Sequence, residues 1–325
     1  MNVSSRPTKH PSFMAPLFLL LLLPLFLSTF HGALAATPLY QAGIAHFSTQ
    51  NDSSSNSSSS TFWRSDNGTL TFGFKSVGPN QYLLCIWVTA DTNRTPLWWP
   101  SISEDTPSLT QGATLNFTSN GNLELSDANN QSILWSTSIS KASFAKLQNT
   151  GNLQLLDQTM ETIVWQSFLD LRDTLVVRPR DNASTNPLSS IVVDKSYLLR
   201  SRPNASSYGP PGRFHLQTDA YSVTHLRAVD AVSNVEFIYV YAYINASQGV
   251  FELSRDGGKT YRDNSSMPMS MLRLDPDGNL RIYAWNVSYS TWDKVWFFIG
   301  NNCLIGSPCG AYGICKEEGT NGSPL

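Results

Sequence analysis

Side chains that do chemistry need partners at workable spacing, and this chain offers few of them. His46, His215 and His225 are the histidines after residue 35, and no two form an H-x-x-H pair. Neither a zinc site nor a Ser-His nucleophile therefore has support. No Gly-rich phosphate loop and no kinase signature occurs. Carboxylates are present, but no cleft signature pairs them, and neither catalysis, a cofactor nor a metal is expected. The cysteines are more informative. Cys303, Cys309 and Cys315 are spaced C-x5-C-x5-C in the last 23 residues, while Cys85 stands alone. In an exported chain such a cluster usually opens a small disulfide module. One of the three must stay free, pair with Cys85 or await partners beyond Leu325, and truncation is the expected explanation.

Stepping outward from single residues, the chain repeats itself. "SNGNLELSDANNQSILWST" (119–137), "NTGNLQLLDQTMETIVWQS" (149–167) and "PDGNLRIYAWNVSYSTWDK" (276–294) each begin with a turn, run into Gly-Asn-Leu and end on Trp. Gly121 to Trp135, Gly151 to Trp165 and Gly278 to Trp292 are all 14 positions apart, so the chain is read as built from repeats.

Residues 1–35 are set aside as a signal peptide. Arg6 and Lys9 precede an uncharged run from Phe13 to Phe30, and Ala33-Leu34-Ala35 supplies the cleavage pattern. Removal leaves 290 residues, enough for roughly two domains. It also moves the formal charge from −2 to −4, since only Arg6 and Lys9 are lost. That balance gives no case for nucleic acid or anionic membrane as partner. Twelve Asn-x-Ser/Thr triplets follow, at Asn51, Asn56, Asn67, Asn93, Asn116, Asn130, Asn182, Asn204, Asn245, Asn264, Asn286 and Asn321. That density on an exported chain predicts a heavily glycosylated surface.

Short runs rich in β-branched and aromatic residues predict an all-β fold. They lie at 69–74, 82–88, 114–119, 122–127, 132–137, 144–149, 152–157 and 162–168, with Gly, Asn, Asp and Ser between them. Residues 36–61 hold an N-terminal strand and a Ser-rich loop, 62–180 a first β domain, 181–299 a second, and 300–325 the cysteine cluster. In "YLLCIWV" (82–88) both alternating faces are apolar, so the strand is expected to be buried on both sides, with Cys85 an inert core thiol. Trp87, Trp99, Trp135 and Trp165 fall near the ends of successive strands, and a pseudo-rotation axis relating the repeats would bring them together.

"GNLELSDANNQSILWST" followed by "FAKLQNTGNLQLLD…IVWQSF" resembles the bulb-type (G-type) mannose-binding lectin domain of plants. Together with "WQSFLDLRDTL", "LRLDPDGNLRIYAWN…W" and "CLIGSPCGAYGIC", the order of segments resembles S-locus glycoproteins and the ectodomains of S-domain receptor-like kinases, over most of residues 62–315. The resemblance implies tandem β-prism II domains followed by the start of an EGF-like module, in which Cys303–Cys315 would be a bridge. Soluble extracellular glycoproteins share that layout without a kinase.

The family's sugar motif reads Gln-x-Asp-x-Asn-x-Val-x-Tyr, five side chains on one face of one strand. This sequence departs from it in every copy. Thr118, Asn120, Asn122, Glu124 and Ser126 keep only Asn122; Gln148, Thr150, Asn152, Gln154 and Leu156 keep Gln148 and Asn152. Ser65, Asn67, Thr69, Thr71 and Gly73 keep none. Asp275, Asp277, Asn279, Arg281 and Tyr283 keep Asp277, Asn279 and Tyr283, but Arg281 replaces the apolar Val and is expected to crowd or recharge the pocket. Gly-Asn-Leu is otherwise a turn leading into a strand. The expected protein is a secreted or cell-wall recognition glycoprotein with weak or absent mannose binding. Its partner is an extracellular glycan or a protein or peptide, with room for homodimerisation through a β face. A membrane enters only if a longer receptor form carries a transmembrane span.

Overall fold

The structure, a computed structural model, describes residues 39–42, 46–49, 62–102, 109–128, 132–178, 199–209, 211–218, 224–229, 236–247, 250–255, 260–262 and 269–300. The expected signal peptide, the Ser-rich loop and the cysteine cluster lie outside these residues. Every run read as a strand in 62–168 is one.

Three antiparallel sheets build the first half. One has the order β1 (Tyr40–Gln41), β9 (Phe144–Leu147), β10 (Leu153–Leu156), β11 (Ile163–Gln166). A second has the order β2 (His46–Ser48), β6 (Thr114–Phe117), β7 (Leu123–Ser126), β8 (Ile133–Ser136). The third joins β3 (Phe62–Arg64), β4 (Leu70–Gly78) and β5 (Gln81–Val88). Its fourth position is filled by Leu97 and Trp98, which exchange backbone hydrogen bonds with Ile86 at 2.8 Å. The hairpin turns are copies of one another. Gly121 N donates to Thr118 O and Thr118 N to Asn122 O; Gln148, Gly151 and Asn152 repeat this, as do Asp275, Gly278 and Asn279. Gly121, Gly151 and Gly278 sit at φ +89°, +87° and +87°, the left-handed conformation that closes such a loop at little cost only with glycine.

The alternation of each strand then sets inside from outside. Leu115, Leu123, Leu125, Ala145, Leu147, Leu153 and Leu155 are fully buried and share one apolar cluster. Three indoles pack on it, Trp98 buried within the cluster and Trp135 and Trp165 half-buried against it. Trp98, Trp135 and Trp165 lie 6.3, 6.1 and 5.9 Å apart in edge-to-face pairs at about 70°. Each faces an aliphatic side chain on the neighbouring strand: Ile86, Leu125 and Leu155 respectively. The axis expected from the repeats therefore exists, but its third member is Trp98. Trp87 and Trp99 lie instead on the outward side of β5 with Leu83 and Cys85, under Tyr208. Adjacent residues in extended chain point opposite ways, so Trp98 and Trp99 cannot share a face. The strand at 82–88 is buried on both sides, with Cys85 free at its outward face. Burial pushes that thiol up to about 12.

The second half holds two sheets. A four-stranded sheet runs β12 (Thr174–Arg178), β19 (Ser270–Leu274), β20 (Leu280–Asn286), β21 (Thr291–Phe297). A six-stranded meander joins β13 (Leu199–Arg200), β14 (Phe214–Thr218), β15 (Thr224–Val229), β16 (Glu236–Ser247), β17 (Val250–Arg255) and β18 (Thr260–Arg262). The described residues of the second half thus form one four-stranded and one six-stranded sheet. Thr174–Arg178 pairs with β19, so the four-stranded sheet begins before residue 180.

Strands β12 and β19 of the four-stranded sheet are buried on both faces, while β21 is largely exposed. Leu175, Val177, Leu272, Leu274, Leu280 and Ile282 pack with Phe214, Leu216 and Leu226 of the meander. Val176, Met271 and Trp285 point the other way and belong to the same apolar cluster as the prism core. Where the halves meet, the Asp173 carboxylate is fully buried and accepts from Arg202 Nε at 2.7 Å and Thr174 Oγ1 at 2.6 Å. Trp98 Nε1 donates to Asp170 O, and Arg273 Nη2 donates to Pro96 O.

Candidate functional site

In three repeated hairpins the asparagine of Gly-Asn-Leu has the same work. Asn122 Oδ1 accepts from Ser136 Oγ at 3.0 Å and Thr137 Oγ1 at 2.7 Å. Asn152 Oδ1 accepts from Ser167 Oγ and Phe168 N, both at 3.3 Å. The same hydroxyls, Thr137 Oγ1 and Ser167 Oγ, receive Leu123 N and Leu153 N. Asn279 bonds the backbone of Ile299 directly. The asparagine thus fastens the chain leaving the last strand of its sheet to the start of the middle one. Asn152 and Asn279 are 1% and 2% exposed. Sequence reading missed the hydroxyl partners. The signal was there as Trp-x-Ser/Thr, in Trp135-Ser136-Thr137 and Trp165-Gln166-Ser167.

The remaining groups differ face by face. On the β1–β9–β10–β11 sheet, Gln148 Nε2 donates to Gln154 Oε1 and Asn152 Nδ2 to Gln166 Oε1, both at 2.8 Å. Gln154, Gln166 and Leu156 are buried, so this face is closed. On the β3–β4–β5 sheet the hydroxyls of Thr71 and Thr89 bond each other at 2.8 Å. In register beside Thr71 and Gly73 stand Trp87 and Cys85, in the cluster that includes Trp99 and Tyr208. Arg202 lies over both the Trp99 and Tyr208 rings. This face is closed too.

The downstream hairpin brings together the residues read as the best sugar remnant, and ties them to each other. Arg281 Nη1 donates to Asp275 Oδ2 and Asp277 Oδ1 at 2.7 Å, while Nη2 engages Asp277 Oδ2 at 2.5 Å. Tyr283 Oη donates to Asp275 Oδ2 at 2.7 Å. Burial pushes the Asp277 carboxyl up, but the hydrogen bonds and charge of Arg281 outweigh it and hold it below its usual range. Burial beside the Asp275 carboxylate raises Tyr283. Tyr283 and Arg281 share the face of Met271 and Arg273, the face that packs on the prism. The Arg273 guanidinium lies 5.6 Å from the centre of the Tyr283 ring.

The β2–β6–β7–β8 sheet is the most open. Asn120 is exposed, and Thr118, Asn122, Glu124, Ser126 and Ser136 are half-buried. Asn122 Nδ2 donates to Glu124 Oε1 at 2.9 Å, and Glu124 is half-buried. Among the described residues no three His, Cys, Asp or Glu side chains form a group able to hold a metal, and no described helix is long and apolar enough to cross a membrane. Of the sequons, Asn67, Asn93, Asn116 and Asn204 are exposed and Asn286 is half-buried. Asn245 is described in backbone only, and Asn51, Asn56, Asn130, Asn182, Asn264 and Asn321 lie outside the described residues.

Comparison with known proteins agrees with the repeats. The family of D-mannose binding lectin matches residues 95–187, and the S-locus glycoprotein domain matches residues 223–322. A G-type lectin S-receptor-like serine/threonine-protein kinase of Oryza sativa subsp. indica is 27% identical over 289 residues, 80% of this chain and 34% of its own. EP1-like glycoprotein 3 of Arabidopsis thaliana is 27% identical over 290 residues, 80% of this chain and 64% of its own. The chain spans about a third of the length of the receptor-kinase relatives it matches. A solved Japanese Marasmius oreades lectin aligns with 51% of this chain and 81% of its own at 17% identity, with a TM-score of 0.17. The chain thus carries a bulb-type lectin domain followed by an S-locus glycoprotein domain, in the order found in plant S-locus glycoprotein-like proteins.

Proposed function

We propose that this protein is a secreted, non-catalytic recognition glycoprotein whose mannose specificity is weak or lost. The observation that carries the reading is the Arg281 guanidinium, bonded to both Asp275 and Asp277. A sugar hydroxyl entering there would have to displace charge-assisted bonds, which are about twice as strong as neutral ones. The outward side of β2–β6–β7–β8 is the recognition surface that remains. Its mixed donors and acceptors at Asn120, Glu124, Ser126 and Ser136 suit an extracellular glycan, protein or peptide, not a nucleic acid.

A working mannose-type lectin is the competing reading, favoured by the half-buried Asn122–Glu124 pair on the same surface. The receptor-kinase relatives support a further placement, the ectodomain of a receptor-like kinase in a longer form with a membrane span. In either setting residues 181–299 act as the second, S-locus glycoprotein-like domain, and Cys303, Cys309 and Cys315 begin an EGF-like module. A glycan array probed with secreted protein, its own N-glycans trimmed, tests the main reading. Folded protein should give no signal that free mannose competes away. A mannose-competed signal would overturn it.

A further inference from the structure

We propose that Asn116 carries an N-linked glycan that lies across the outward face of β2–β6–β7–β8 and covers the Glu124 carboxylate. This rests on the reading that the face is a recognition surface, and it says when that surface is available. Asn116-Phe117-Thr118 is an acceptor triplet. Leu115 and Phe117 on either side are 0% and 2% exposed in the core, so Asn116 between them points outward, and it is exposed.

Position makes this acceptor different from the others. Asn67, Asn93 and Asn204 lie in turns and bends, and Asn286 ends β20 with Nδ2 on Asp293 Oδ2 at 2.7 Å. Asn116 projects from β6, an internal strand between β2 and β7. It is the direct cross-strand partner of Glu124, which in turn pairs with Ser136. Directly opposed side chains have Cβ atoms about 4.5–5.5 Å apart, so a sugar on Asn116 Nδ2 starts beside Glu124. The modification forms an N-glycosidic bond from Asn116 Nδ2 to the anomeric carbon of an oligosaccharide donated by a polyprenyl diphosphate. The diphosphate departs as leaving group, and the amide gives up one proton.

The full chain, secreted from plant cells, is digested and its glycopeptides are weighed. Most of the Asn116 peptide should carry glycan, and a mainly bare peptide overturns the proposal. Covering is read separately by carbodiimide labelling of carboxylates on folded protein, with exposed Glu161 as the reference. Glu124 labelling should rise severalfold in Asn116→Gln, and also in wild-type protein trimmed of the whole glycan by a peptide N-glycosidase, should the variant not fold. Equal Glu124 labelling before and after trimming overturns the covering. Neither readout needs a ligand. An array on Asn116→Gln then tests recognition on its own, so silence there counts against the recognition surface and leaves the glycan result standing.

Discussion

Asn279 closes a two-point hydrogen bond on one residue, giving Nδ2 to Ile299 O at 2.8 Å and taking Ile299 N on Oδ1 at 2.9 Å. Both partners are buried. Asn279→Ala would leave a buried N–H and C=O without partners, at about 1–3 kcal/mol for each orphaned group. Urea unfolding should show a loss of that order. A stability within error of wild type would mean that water replaces the carboxamide. The same loss warns against using this substitution alone as a test of sugar binding.

The Asp277–Arg281 pair makes stability depend on acid. The folded Asp277 value is depressed, while an unfolded aspartate titrates near about 3.9. Its contribution is therefore complete above about pH 4 and is lost as pH falls through the folded value. Unfolding free energy measured down the acid limb should fall more steeply in wild type than in Asp277→Asn. Parallel acid limbs would remove the pair from the account.

Asp173 is a joint that the sequence marked only by resemblance. Its carboxylate takes Arg202 and Thr174 in a fully buried setting. Removing one partner of a buried pair typically costs about 3–5 kcal/mol, because the other charge is left uncompensated. Asp173→Ala should lose stability on that scale in denaturant titration. A double variant with Arg202→Met should recover part of the loss, and no recovery would show that the two residues do not act as a pair.

Gly121 and Gly151 share a conformation but not a neighbourhood. A Cβ at Gly121 would stand 2.3 Å from Ala142 N and O, whereas at Gly151 the nearest atom is Val176 Cγ2 at 3.5 Å. Gly151→Ala should cost the left-handed penalty of about 1–2 kcal/mol. Gly121→Ala should cost clearly more, since backbone must move. Equal melting temperatures for the two variants would contradict the packing described.

Local pattern carried much of this architecture into the sequence, and long-range pairing carried the rest out of view. The β6–β7–β8 and β9–β10–β11 hairpins were legible because Leu alternates with polar residues and glycine marks the first turn of each. Trp98 and Trp99 could not be told apart by order alone, since a shift of one residue exchanges faces. Nothing within Thr174–Arg178 says that its partner is β19, about a hundred residues on. At the downstream hairpin, Arg281 was recognised as an intruder in the sugar pattern. That its face packs on another sheet follows from contacts no local spacing encodes.

Met269, Met271, Val176 and Trp285 share one apolar cluster with Leu147, Leu155 and the prism indoles. The lectin portion is consequently not a detachable part. A fragment cut near residue 178 would keep β12 without β19 and bare Val176 together with the prism side chains it covers. The two halves should therefore melt in one calorimetric transition, and two separate transitions would contradict the shared core.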